Sequence, residues 1–127
     1  MIMTGTTARR VAAGLGFLGV ALGAFGAHAL KARLAETGPA GSWADVWEKA
    51  VFYHFIHAVM LYVLAGQRPF PAFSWWSFLV GILLFSGSLY LLAVTQVLWL
   101  GAITPLGGLA LLAGWGGLFG RPKPSQD

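Results

Sequence analysis

Read as a succession of apolar and polar positions, the chain falls into four apolar stretches separated by short polar breaks. Residues 11–30 form twenty uncharged positions between Arg9-Arg10 and Lys31/Arg33, about 30 Å of helix and enough to cross hydrocarbon. Ala12, Gly16, Gly19, Gly23 and Gly26 or Ala27 share one face of this helix, a small-residue ridge on which another helix can pack closely. Residues 31–41 read as a loop carrying the turn cluster Gly38-Pro39-Ala40-Gly41. Ser42 with Asp45 three residues on predicts a helix start. That helix runs to about residue 65, ahead of Gly66 and Pro69. Trp43, Asp45, Trp47, Glu48 and Lys49 give its first two turns an interfacial composition, which leaves about 48–65 embedded.

A third span, about 75–93, opens on Trp75-Trp76 as an interfacial anchor and ends at Thr95-Gln96. The fourth, about 99–119, is uncharged but interrupted by Gly101 and by Thr104-Pro105. Proline suits the first turn of a helix, with Thr104 before it as cap. This favours a short apolar re-entry over residues 97–104, then a helix from Pro105, above a single helix kinked at Pro105. The expected fold is therefore all-α: one integral membrane domain, residues 1–127, with four transmembrane helices.

Composition supports that class. The chain is 57% hydrophobic and 9% charged, against about 25% charged residues in soluble domains. Its mean hydropathy is +0.74. The absence of cysteine excludes disulfides, thiolate metal sites and cysteine nucleophiles. A net charge of +4 does not point to nucleic acid, because the basic residues flank apolar runs instead of clustering. With four spans, Arg9, Arg10, Arg68, Arg121 and Lys123 share one side, while Lys31, Arg33 and Lys49 share the other. That bias places both termini in the cytoplasm. Arg9-Arg10, an apolar run and Ala27-His28-Ala29 also mimic a secretory signal, but the run exceeds the 7–15 residues of a signal core.

The candidate chemistry is histidine chemistry. Counted from the outer face, His28 lies about 3 Å deep, His54 about 6 Å and His57 about 10 Å. With Glu48, Tyr53, Ser86, Ser88, Tyr90 and Thr104 they outline a polar cluster in the outer half of the bilayer. One reading is structural, since His, Tyr and Trp settle near interfaces with an apolar body and a polar tip. The alternative is a cofactor site in the outer leaflet: haem, quinone or a metal on His28, His54 and His57, with Glu48 as a further metal ligand. The sequence requires no cofactor and defines no metal.

Other chemistry is weaker. Ser86 and Ser88 lack Asp–His partners at a recognisable spacing, and interhelical hydrogen bonding accounts for them. Gly14-x-Gly16-x-x-Gly19 has no strand before it, so it is not a dinucleotide fingerprint. A small-solute transporter coupled to protons would want an acid inside a span, and only Glu48, at an edge, comes near. No catalytic constellation is evident, so an enzyme is not expected. The reading is a structural or accessory membrane component. Its partner is the lipid bilayer, with a second copy or a larger membrane complex on the Gly16/Gly19/Gly23 face.

The motifs also carry a resemblance. Gly23-Ala24-Phe25-Gly26-Ala27-His28-Ala29-Leu30, Trp47-x5-Tyr53-His54-x2-His57-Ala58, Phe85-Ser86-Gly87-Ser88-Leu89-Tyr90 and Leu100-Gly101-Ala102-Ile103-Thr104-Pro105-Leu106-Gly107-Gly108 with Gly114-Trp115 follow one another in order. Together they resemble the transmembrane protein 256-like family, known in bacteria as domain of unknown function 423. The likeness covers nearly the whole chain. It implies a four-helix inner-membrane protein, argues against the cleaved-signal reading, and brings no assigned activity. It also implies that the polar stretches are shared features of the family.

Overall fold

A computed structural model describes residues 3–39 and 41–122. Lys123, which entered the charge balance, lies outside them. Helix α1 (Gly5–His28) begins ahead of the expected residue 11 because Thr4 caps it, its hydroxyl accepting the Thr7 N–H at 3.2 Å. Arg9 and Arg10, expected to flank the span, therefore stand on the helix itself. The expected loop is more ordered than its composition suggested. It forms a one-turn helix α2 (Lys31–Leu34), then a hairpin of β1 (Thr37–Gly38) and β2 (Gly41–Ser42), pairing Thr37 with Ser42 and Gly38 with Gly41. Gly41 sits at φ +97°, where a side chain would be strained.

Helix α3 (Trp43–Ala65) starts as the sequence predicts, with the Ser42 hydroxyl accepting the Asp45 N–H at 3.4 Å. After Gly66 comes one long rod made of α4 (Ala72–Gly81), a π-helical segment (Ile82–Ser86) and α5 (Gly87–Thr95). Gln96, in the left-handed conformation, ends it by returning its N–H to the Leu92 carbonyl at 2.7 Å. A 3-10 turn (Leu98–Ala102) then leads into α6 (Thr104–Phe119).

Over residues 97–104 the chain makes that short 3-10 turn and then enters α6 at Thr104, one residue ahead of the expected Pro105, with the Ile103 carbonyl accepting from Leu106 and Gly107. Thr104 caps nothing; its hydroxyl lies 2.6 Å from that of Ser88 instead.

The helices run up and down. One end, here the hairpin end, carries His28, α2, the strands and the Thr95–Ile103 turn. The other, the termini end, gathers Gly5, Ala65, Ala72 and Phe119. Helix α1 packs chiefly on α3, α6 packs on α4 and the π segment, and α3 meets the long rod between them. Guanidinium groups tie both ends. At the hairpin end Arg33 donates Nε and Nη2 to the Val94 carbonyl (3.1 and 2.9 Å), placing a cation at the C-terminus of α5. At the termini end Arg121 donates to the Gln67 side chain and to the Pro69 carbonyl.

Two apolar cores lie along the bundle. Ala8, Ala12, Leu61, Leu64, Trp75, Phe78, Ile82 and Leu111 fill the termini end. Leu34, Trp43, Trp47, Ala50, Leu89, Leu92 and Leu100 fill the hairpin end. Three of the four tryptophans expected at headgroup depth thus belong to the cores: Trp43, Trp47 and Trp75 are all buried, while the fourth, Trp76, is exposed. Each indole needs a partner for its N–H once buried; Trp75 finds the Leu61 carbonyl at 3.2 Å and Trp47 that of Leu22 at 2.9 Å.

The small-residue ridge of α1 also finds its partner inside the chain. A side chain on Gly19 would meet Phe55 and His54, one on Gly23 would meet Val51, and one on Gly26 would collide with Trp47. Gly16 alone stands open. The Gly16/Gly19/Gly23 face is thus not a free surface for a second copy, because α3 already covers two of its three glycines.

Among the described residues three helices qualify as membrane spans by length and apolarity: Gly5–His28, Ala72–Thr95 and Leu98–Phe119. Helix α3 matches them in length, at 23 residues. It differs by carrying Asp45, Glu48 and Lys49 near its start and two histidines inside.

Candidate functional site

Between the two cores the α3 residues facing the bundle change from apolar to His54 and His57, both buried. His54 occupies the midpoint of α3, opposite Leu15 near the middle of α1. It is therefore at mid-bundle and not close beneath one face, because α3 starts at Trp43 and tucks its first two turns inside the hairpin-end core.

The hydrogen bonds constrain which nitrogen of each ring donates. His54 Nε2 lies 2.8 Å from the Leu15 carbonyl, which can only accept, so Nε2 carries a proton. In the neutral ring Nδ1 is then the acceptor, and the Tyr90 hydroxyl donates to it at 2.8 Å. His57 has the opposite tautomer. Its Nδ1 lies 2.7 Å from the Tyr53 carbonyl one turn back and must donate there. Nε2 accepts the indole N–H of Trp115 at 3.1 Å. His57, facing an N–H that can only donate, is thus neutral, and both rings are fully engaged, one across α1, α3 and α5, the other between α3 and α6.

Packing holds them in place. Trp47 tilts over the Tyr90 ring with centroids 4.8 Å apart, and His57 meets the faces or edges of Phe78 and Trp115 at 5.2 and 6.0 Å. Tyr53, half out of the bundle, leans on Phe85 at 4.6 Å.

The remaining polar residues repeat the theme of a side-chain donor placed on a neighbouring helix's carbonyl. Ser86 donates to Ala50 at 2.7 Å and Ser74 to Gly114 at 2.8 Å, while Ser88 pairs with Thr104. Those carbonyls lie within helices, so the added donor takes a second lone pair. The π segment brings Ser86 to this position, and a side chain on Gly107 would run into the backbone of Leu84 and Phe85 there.

The structure therefore brings together His54 with Tyr90, and Ser88 with Thr104, but divides the expected cluster. His57 points to α6, Ser86 to α3, and Glu48 and His28 are exposed toward the hairpin end. Among the described residues no three His, Asp or Glu side chains are grouped to hold a metal. The nitrogen lone pairs of His54 and His57 already receive protons from Tyr90 and Trp115, so neither ring offers a free ligand atom to haem or metal. The residues that the sequence reading undervalued are Trp47, Trp75, Trp115 and Ser74, all donors across a helix interface. A signal for one was present: Gly19 and Gly26 are spaced like His54 and Trp47, one heptad apart.

Comparison with known proteins agrees with this architecture. The family profile described as a protein of unknown function (DUF423) matches residues 22–108. The chain is similar to the UPF0382 membrane protein YwdK of Bacillus subtilis, 45% identical over 105 residues that cover 77% of this chain and 80% of the relative. It is 43% identical to a UPF0382 membrane protein of Staphylococcus haemolyticus over 103 residues, with the same two coverages. It is 40% identical to the UPF0382 inner membrane protein YgdD of Escherichia coli over 105 residues, covering 79% of this chain and 76% of the relative. No solved structure matches.

Proposed function

The chain belongs to the DUF423 family, and on that premise we propose that this all-α membrane protein is a non-enzymatic structural or accessory component of the bacterial inner membrane. One observation carries the reading: every ring nitrogen of the two buried histidines is paired within the protein. Groups so engaged lock helices together and leave no atom for substrate or cofactor. The polar residues His54, His57, Tyr90, Ser86, Ser88 and Thr104 are in this reading fastenings of one four-span domain.

Helix α3 crosses with the other three. A polar side chain in hydrocarbon is costly only while unpaired, and those at the centre of α3 are paired. The charges at its start stay near the hairpin-end interface. Arg9, Arg10, Arg68 and Arg121 at the termini end against Lys31, Arg33 and Lys49 at the other favour cytoplasmic termini.

The test is an absorption spectrum and metal analysis of the purified full-length protein, with and without added haem or zinc. A colourless protein that takes up neither supports the fastening role. A Soret band, or a stoichiometric metal lost in His54→Gln, would refute it. Orientation is read separately. The native chain has no cysteine, so Thr37→Cys should react with an impermeant thiol reagent in intact spheroplasts while Thr6→Cys reacts only after lysis. The reverse pattern overturns the assignment.

A further inference from the structure

At the hairpin end α1, α2 and α3 line a crevice of about 510 Å³, mainly with apolar and small residues, among them Gly23, Ala27, Val51 and Phe52. That volume is within the roughly 300–1,000 Å³ of ordinary ligand pockets. Among the described residues two charged ones line it, Lys31 from α2 and Glu48 from α3. The crevice continues along the same seam through a second hollow of about 410 Å³, which shares Gly23, Val51 and Phe52 and reaches Gly19. From His28, where α1 ends, to Gly19 the rise along α1 is about 14 Å. One leaflet of hydrocarbon is about 15 Å deep.

We propose that this crevice is a binding site for one phospholipid with a primary ammonium headgroup, of the phosphatidylethanolamine type. Its phosphate meets Lys31, its ammonium meets Glu48, and one acyl chain lies along Gly23, Ala27, Val51 and Phe52. The charges at the mouth choose the occupant. A single cation beside a single anion complements a zwitterion. A purely anionic headgroup satisfies Lys31 but faces the Glu48 carboxylate. A quaternary choline has no N–H to give that carboxylate, whereas a primary ammonium has three donors. Gly23, Gly26 and Ala27 form the α1 wall of the crevice. Helix α1 has its main packing partner in α3, so a bound chain also supports its lipid-facing side.

The inference rests on the four-span reading, which Gln67→Cys, placed after α3, tests independently of any lipid: it should share the accessibility of Thr6→Cys and not that of Thr37→Cys. Native mass spectrometry of the full-length protein in detergent, offered equal amounts of phosphatidylethanolamine, phosphatidylglycerol and phosphatidylcholine, should show one retained lipid, the ethanolamine form. Glu48→Gln should lower that adduct about tenfold, the loss of one charge-assisted hydrogen bond, and remove the preference over phosphatidylglycerol. Lys31→Gln should lower the adducts of both lipids. Both positions are exposed, and an unchanged helical spectrum and melting temperature in detergent show that the variants are folded. Equal retention of all three lipids, preference for phosphatidylglycerol, no retained lipid, or adducts indifferent to both substitutions would each overturn the proposal.

Discussion

Trp47 and Leu22 are joined across the α1–α3 seam: the indole N–H of Trp47 donates to the Leu22 carbonyl at 2.9 Å, beside the glycine one turn further on, Gly26. The same device recurs one heptad away, where His54 reaches the Leu15 carbonyl at 2.8 Å beside Gly19. In each pair the glycine is the residue whose own N–H returns to that carbonyl in an α-helix. Its missing side chain uncovers the second lone pair. The glycines thus admit an aromatic donor as well as a close backbone.

Substitutions at Gly26 and Gly16 should separate in sign. A Cβ on Gly26 lands on the Trp47 indole, while one on Gly16 meets nothing within 4 Å. Gly26→Ala must displace a buried ring and strain its hydrogen bond, a cost of about 1–3 kcal/mol. Gly16→Ala should be neutral or stabilising by up to about 1 kcal/mol, the helix-propensity gain. Thermal melts of both variants in one detergent give the comparison. Equal melting temperatures would dismiss the carbonyl-access role of Gly26.

The two histidines should show opposite tautomers. Long-range nitrogen–proton correlation of imidazole-labelled protein at neutral pH should find the proton of His54 on Nε2 and that of His57 on Nδ1, as the Leu15 and Tyr53 carbonyls require. His28, exposed at the end of α1, serves as the internal reference for a solvated ring. Matching tautomers for His54 and His57 would contradict the network.

The four apolar stretches were legible in the sequence because length and absence of charge are properties of the chain alone. So was the Ser42 cap, which involves neighbours three residues apart. The partners of the donors were not. Trp47 and Trp75 carry the same composition signal whether they face headgroups or a core, and only the register of α3 against α1 and α4 decides. The depth of His54 was misjudged for a related reason: placing the first two turns of α3 at the interface shifted every later residue toward one face. The Lys31–Ser42 segment has the polar and glycine-rich composition of a loop, and the Arg33–Val94 bonds that tie it down depend on a helix end about sixty residues away. Long-range bonds of this kind leave no periodic trace.

Tyr90→Phe and His54→Phe offer a measure of the central fastening. Tyr90→Phe leaves His54 Nδ1 without a donor, and His54→Phe leaves Tyr90 without an acceptor. Hydrogen bonds between membrane helices couple by about 0.6 kcal/mol on average and about 1.7 at most. A double-mutant cycle on unfolding free energy should return a favourable coupling in that range. Zero coupling would mean that the hydroxyl and the imidazole ignore each other.

Gly107 should be the least replaceable glycine of α6. A Cβ there would strike the backbone of Phe85, including its amide nitrogen, where the long rod passes through its π segment. Gly108, its neighbour, would place a Cβ in ordinary contact with the Phe85 ring at 3.9 Å. A side chain can rotate away, but backbone moves only by shifting a whole helix. Gly107→Ala must part α6 from the π segment, loosen the Ser88–Thr104 pair close by, and cost at least the roughly 1–3 kcal/mol of an overpacked core. Gly108→Ala should stay within about 0.5 kcal/mol of the parent or gain from helix propensity. Melting temperatures of the two variants decide the matter. If Gly107→Ala melts with Gly108→Ala, the close approach of α6 to the π segment is not what holds this half of the bundle.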